Sequence, residues 1–191
     1  MGGRSGRLPP ELRELVLLRL LDWLGRRGRY YLMRQISLGE GEIRYSLAKL
    51  RDRGFVESSR GGSVITEEGR EYLERALEAL GISKVGIENL EWLVGKRYAV
   101  VVVYEGEIGE DVLEIRDRAV RYGAAGAIIL RVEGERISMP PDSRDLAVYL
   151  PKLSELVGGY LRNGGRKTVV IAFADKLGDA LCGALCSILM A

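Results

Sequence analysis

The chain has 191 residues, is 47% hydrophobic and 29% charged, and carries a formal net charge of only +2. That length suits one domain or two small ones with a real core. The absence of any histidine excludes histidine metal sites, Ser-His-Asp triads and imidazole bases.

Two cysteines, Cys182 and Cys186, make no disulfide framework. No apolar run reaches the ~18 residues of a membrane span. The opening MGGRSGRLPPELRE lacks the apolar core of a signal peptide. A cytoplasmic protein with no membrane partner is expected. The small net charge hides an uneven distribution. Residues 1–62 hold 13 Lys and Arg against 7 Asp and Glu, and the remainder holds 16 against 20. A basic first third on an acidic remainder fits a DNA-contacting module joined to something that is not one.

In chain order, residues 1–8 read as a glycine-rich arm with Arg4 and Arg7, suited to phosphates or to no role at all. Pro9-Pro10 opens a first helix, whose Leu12, Leu15, Val16, Leu20, Trp23 and Leu24 form a broad core face. Gly25 and Gly28 break it beside Arg26, Arg27 and Arg29, a basic knot that either holds phosphate or is a solvated helix end. A short helix over 30–36 follows, then Leu38 as an apolar plug and Gly39-Glu40-Gly41 as a flexible turn.

Ile43, Leu47 and Leu50 are spaced four and three apart, the stripe of a helix over 42–53. Its other face carries Arg44, Tyr45, Ser46, Lys49, Arg51 and Arg53. Gly54 ends it, as glycine does in the left-handed cap. Residues 55–59 read as a strand, Arg60-Gly61-Gly62 as a tight turn and Ser63-Val64-Ile65 as the returning strand. Thr66 with Glu67 and Glu68 starts another helix, over 67–80, striped by Leu73, Ala76, Leu77 and Leu80.

This order, with its Leu-x-x-x-Gly-Phe-Val-Glu text, basic Gly-Gly tip and Ile-Thr-x-x-Gly, resembles the winged helix-turn-helix family over residues 1–80. The resemblance implies that helix 42–53 enters a DNA major groove while the hairpin tip touches backbone or minor groove. On that basis Arg44, Tyr45 and Ser46 are candidates for base reading, and Lys49, Arg51, Arg60 and Arg29 for phosphate contact.

Residues 81–96 read as an apolar connector, partly helical from Ile87 to Val94. From Tyr98 the pattern changes. The run Tyr98 to Tyr104 is β-branched and continuous, a strand buried on both faces. After it come a helix over 111–122, a strand over 127–132, a tight turn at Gly134, a strand over 136–139, helix over 146–161 divided near Pro151, a strand over 168–173 and a very apolar helix over 177–190. The first six elements of this β-α-β-β-α-β-α order are ferredoxin-like; an open doubly wound sheet is the rival, and the hairpin near Gly134 argues against it. The fold class is therefore α+β: a winged helix-turn-helix followed, from residue 97, by a ferredoxin-like domain. The last helix is apolar almost all round and carries Gly178, Ala180, Gly183 and Ala184, which admit another backbone and point to a homodimer.

Chemistry is harder to find. Cys182 and Cys186 share a helix face but lack further metal ligands, so core packing explains them. The acidic loop 105–111 disfavours phosphate and reads as a capped helix start. The loop 139–145 with two prolines is either an effector pocket or a rigid cap. No nucleophile stands beside a base, so no catalysis and no cofactor is expected. The whole chain also resembles an uncharacterised archaeal family joining a winged helix to an α/β domain. The expected function is a DNA-binding transcriptional regulator whose partners are double-stranded DNA, a small-molecule effector and a second copy. The alternatives are a protein-interaction factor that has given up DNA, and an enzyme acting through the α/β domain.

Overall fold

The computed structural model describes residues 8–109, 111–161 and 164–190. The arm at residues 1–7, with Arg4 and Arg7, lies outside them, as do Glu110 of the acidic loop and Asn163. The chain is a mixed α+β protein built from helices and two antiparallel sheets.

The first half consists of α1 (Pro10–Leu24), α2 (Arg29–Gln35), α3 (Glu40–Asp52), a hairpin of β1 (Val56–Ser59) and β2 (Gly62–Ile65), and α4 (Glu67–Ala79). Helix α1 is its axis. Every residue from Leu12 to Leu21 is buried, because α1 packs against α3, α4 and β2 and also against the last helix of the chain. Such enclosure leaves its polar groups dependent on internal partners. Arg13 donates to the Leu8 carbonyl at 3.0 Å and pairs with Glu42 at 3.0 Å. Arg19 pairs with Asp22 and, at 2.6 Å, with Glu74 of α4.

Helix α3 begins earlier than its glycines imply. Glu40 and Gly41 lie in its first turn, and the Glu42 carboxylate reaches back to accept the Gly39 N–H at 3.2 Å. A carboxylate there satisfies a donor that the helix leaves unpaired. Its end is as expected. Gly54 has φ +77°, Gly54 N–H donates to the Arg51 carbonyl and Phe55 N–H to the Leu50 carbonyl, each at 2.9 Å. That pair of bonds is the Schellman arrangement. Thr66 caps α4 by accepting the Gly69 N–H at 3.0 Å.

The second half is organised by one sheet. Its strands are β3 (Ile82–Glu88), β4 (Tyr98–Tyr104), β5 (Gly126–Glu133), β6 (Arg136–Ser138) and β7 (Arg166–Ala174), in spatial order β3-β4-β7-β5-β6. The accompanying helices are α5 (Glu91–Val94), α6 (Val112–Arg121), α7 (Leu146–Tyr149), α8 (Pro151–Gly158) and α9 (Leu177–Leu189). Three expectations are corrected here. Residues 82–88, read as connector, are a full strand paired with β4; their β-branched Ile82, Val85 and Ile87 suit a pleated edge. The order of elements from β4 onward is the expected β-α-β-β-α-β-α, but the sheet is not the four-stranded ferredoxin-like one. It has five strands, and the last of them, β7, lies between β4 and β5 where the ferredoxin-like order would put the third strand of the set, β6; every neighbouring pair is antiparallel. The most apolar strands, β4 and β7, occupy its interior because both of their faces need cover.

Nor do the helices lie on one face. Val100, Val102, Val170 and Ala172 face α6 and α9, whereas Ala99, Val101, Val103, Val169 and Ile171 face α7, α8 and Leu90. Residues 99–103 have no exposed surface at all. Burying a valine side chain contributes roughly 1.5–3 kcal/mol, so β4 is a principal source of stability.

The third correction concerns α9. Its all-round apolar surface is covered within the chain, by β4 and β7, by α6, and by α1 and α2. A Cβ on Gly178 would lie 2.6 Å from Ile36, and one on Gly183 would lie 2.5 Å from Ala124. The small residues therefore admit the chain's own neighbours, and α9 is no argument for a dimer. Cys182 and Cys186 are buried in it; burial pushes both thiols up, Cys186 to about 12.

Candidate nucleic-acid interface

The predicted site residues separate into two groups once α3 is seen in place. Arg44 and Arg51 of α3 face a groove of about 600 Å³ whose opposite wall is the hairpin tip, residues 58–63, and whose end is closed by Gly28, Arg29 and Tyr30. Arg60 stands at the tip. Four guanidinium groups (Arg29, Arg44, Arg51 and Arg60) thus line one cleft. Among the described residues Arg44 and Arg60 have no acidic partner. Arg29 is paired with Glu40 at 3.2 Å and stacked over Tyr30 at 5.0 Å. Arg51 has only a loose contact with Asp52 at 3.6 Å, both exposed.

The remaining three do not join them. Ser46 is buried, 2% exposed, because α3 presents it to the same core side as Ile43, Leu47 and Leu50. It reads no base. Lys49 turns to α1, where its ammonium lies 2.9 Å from the buried Glu14 carboxylate. That hydrogen bond and charge hold the Lys49 ammonium above its usual range. Arg53 takes the other Glu14 oxygen, also at 2.9 Å, and lies over the stacked rings of Phe55 and Tyr72. The pair fastens α3 to α1 through the buried Glu14. Tyr45, 61% exposed, borders a different hollow, with Leu8, Pro9, Pro10 and Arg13.

The hairpin is held against the start of α2 by contacts that the sequence reading did not resolve. Arg27 forms an isolated antiparallel bridge with Ser63; each backbone N–H donates to the other's carbonyl at 2.9 Å. Arg26 donates to Ser59 Oγ at 2.9 Å and to the Gly62 carbonyl at 3.2 Å. The Arg26 side chain and the Arg27 backbone therefore brace the hairpin. The signal was the pair Gly25 and Gly28, which bracket a short extended segment. Gly62 is required by this contact. Its φ is +111°, and a Cβ there would sit 2.3 Å from the Arg27 carbonyl carbon.

The groove is also tied to the second half. Asp179, at the start of α9, accepts Ser37 N–H at 2.6 Å and Ser37 Oγ–H at 2.8 Å, and Lys176 donates to Ser37 Oγ at 3.1 Å. Ser37 lies in the turn between α2 and α3. The position of α3 is thus set from both halves of the molecule.

Elsewhere the two candidate loops hold helix caps and ion pairs, and Pro140, Pro141, Asp142 and Ser143 border a hollow with Arg131 and Arg136. Asp111 and Asp145 cap α6 and α7 through the N–H groups of Leu113 and Ala147. Glu107 is engaged by Arg131 and Arg166. Asp142 binds Arg144, whose guanidinium holds that carboxyl below its usual range. No helix is long and apolar enough to cross a membrane, among the described residues.

Comparison with known proteins bears mainly on the second half. The model of a domain of unknown function (DUF4443) matches residues 94–190. Among solved structures the chain is similar to a hypothetical protein, PH0730, from Pyrococcus horikoshii OT3, with 25% sequence identity and a TM-score of 0.71. The likeness covers 93% of this chain and 91% of that one, so it spans both halves. That neighbour is archaeal, in keeping with the archaeal resemblance. No curated protein matched the chain.

Proposed function

The chain belongs to the family of the domain of unknown function DUF4443, and from that premise we propose that it is a DNA-binding transcriptional regulator. In this reading residues 8–80 act as a winged helix on duplex DNA, and the DUF4443 part fixes the reading head and senses an effector. The observation that carries the reading is the cleft between α3 and the hairpin tip, with Arg29, Arg44, Arg51 and Arg60 on its walls and Arg44 and Arg60 without an acidic partner among the described residues. Cations gathered in one cleft neutralise phosphates, and an exposed side chain near the start of a recognition helix reaches base edges. The helix order, the Arg27–Ser63 bridge and the two-residue hairpin turn further support it. Arg44 is the base-reading candidate; Arg29, Arg51 and Arg60 take phosphates.

Binding to random duplex DNA, measured against salt, tests this. Log affinity should fall with log salt with a slope of about −2 to −4, as two to four neutralised phosphates require. Arg60→Ala should reduce the slope by about 1 on every sequence. Lys49→Ala should leave it unchanged, because Glu14 already holds that ammonium. A salt-independent affinity, or none, removes the DNA reading.

A second reading, a protein-interaction factor, is favoured by one specific observation. With Ser46 buried and Lys49 engaged, α3 keeps few groups for bases. The salt slope separates the two.

A further inference from the structure

Strand β3 is the outer strand of the sheet. It pairs with β4 on one side, and among the described residues no strand or side chain takes the backbone groups of residues 83–88 on the other. A bulge at Ser83 interrupts its start, but from Lys84 to Glu88 the register with β4 is regular. Long free edges template pairing with another strand, and proteins ordinarily blunt them. The opposite edge, β6, is only three residues long and is bridged by Asp145. β3 has no such cover.

Its charges are unmatched inside the chain. Lys84 has no acidic partner among the described residues, and Glu88 accepts only the Tyr160 hydroxyl, with no cation beside it. The two stand two residues either side of Gly86. Between them Val85 is half-buried and Ile87 is 39% exposed.

We propose that two copies of this chain pair antiparallel along β3, about a twofold axis at Gly86. In an antiparallel pair, residues directly opposite share a face, so a symmetric register must centre on one residue. Centring on Gly86 sets each Lys84 opposite Glu88 of the second copy and each Val85 opposite its Ile87. Centring on Val85 or Ile87 matches neither charge. Opposite charges and β-branched pairs directly across a ladder are favourable, and like charges there are not. The result is a continuous ten-stranded sheet with a groove on each copy. This interface is independent of the DNA reading.

Sedimentation equilibrium of the full chain at micromolar concentration tests it. The wild type should approach twice the 21.2 kDa chain mass. Lys84→Glu and Glu88→Lys each replace two attractive pairs by two repulsive ones, so each alone should self-associate roughly tenfold more weakly or worse. Mixed in equal amounts, the two variants should dimerise again, since every charge then faces its opposite; a misfolded variant would not recover this way. A wild type that stays monomeric overturns the proposal. So do single variants as dimeric as the wild type, or a mixture that stays monomeric.

Discussion

Gly62 shows how one residue decides whether the groove exists. Arg60-Gly61 forms the hairpin turn, and the backbone of Gly62 lies directly against Arg27. Gly62→Ala adds a Cβ where φ is +111° and atoms are 2.3 Å away. A left-handed, obstructed alanine of this kind costs on the order of 1–3 kcal/mol. We expect chemical denaturation to show that loss and DNA affinity to fall with it. Gly61→Ala is the control. Its Cβ meets the flexible Arg26 Cδ at 3.3 Å and Ser59 Oγ at an ordinary 3.8 Å, and stability should change by less than about 0.5 kcal/mol. Equal behaviour of the two variants would show that the hairpin does not need this contact. Residue by residue, the sequence was legible where a side chain's role follows from local spacing. Arg44 and Arg60 are exposed as expected; Ser46 is not, because its position on the helix falls on the edge of the apolar stripe.

Between elements, the turn joining α2 to α3 is the decisive link. Ser37 is held by Asp179 of α9, and Gly178 packs against Ile36. Asp179 is 9% exposed, and hydrogen bonds to a charged group contribute about 1.5–3 kcal/mol. Asp179→Ala should therefore lower stability by about 2–3 kcal/mol. It should also speed hydrogen exchange in residues 36–40 more than in α1. Unchanged exchange there would mean that α9 does not position α3. A second clasp joins β7 to the loop after β4, where buried Lys167 donates to Glu105. Burial alone would raise the Glu105 pKa, but bonds from Lys167 and Ser83 and the Lys167 charge outweigh it and hold it below the usual carboxylate range. A carboxyl depressed on folding stabilises above its unfolded pKa of about 4.3 and loses that contribution as pH falls through the folded value. Stability should drop as the solution is made more acidic than the unfolded carboxylate range, and Glu105→Gln should flatten part of that drop. An identical profile in the variant would exclude Glu105 as a source.

Across the whole molecule, one apolar cluster runs from Leu8 and Leu15 through Leu73 and Val100 to Leu181 and Ile188. It crosses the domain boundary expected near residue 80. α1 and α9 share it, so neither half can lose its packing alone. Calorimetry should give a single cooperative transition, with van't Hoff and calorimetric enthalpies equal. Two resolved transitions would show that the halves are independent. The same continuity gives a physical route by which an effector bound to the DUF4443 part would shift α3: α9 touches both the sheet and the α2–α3 turn.

What the sequence determined by itself is local. Periodicity placed the helices, β-branched runs placed β4, β5 and β7, and Gly54, Thr66 and Gly134 marked ends and turns, because each depends on a few neighbouring residues. The spacing of α3 also placed Arg44 and Arg51 on its exposed side. Tertiary structure alone decided the rest: the pairing order of the sheet, the strand hidden in residues 82–88, the burial of Ser46, the capture of Lys49 by Glu14 and the cover over α9. Each of those depends on residues far apart in the chain meeting in space. Their identity follows from which surfaces must leave water together, and no short stretch of the chain carries that information.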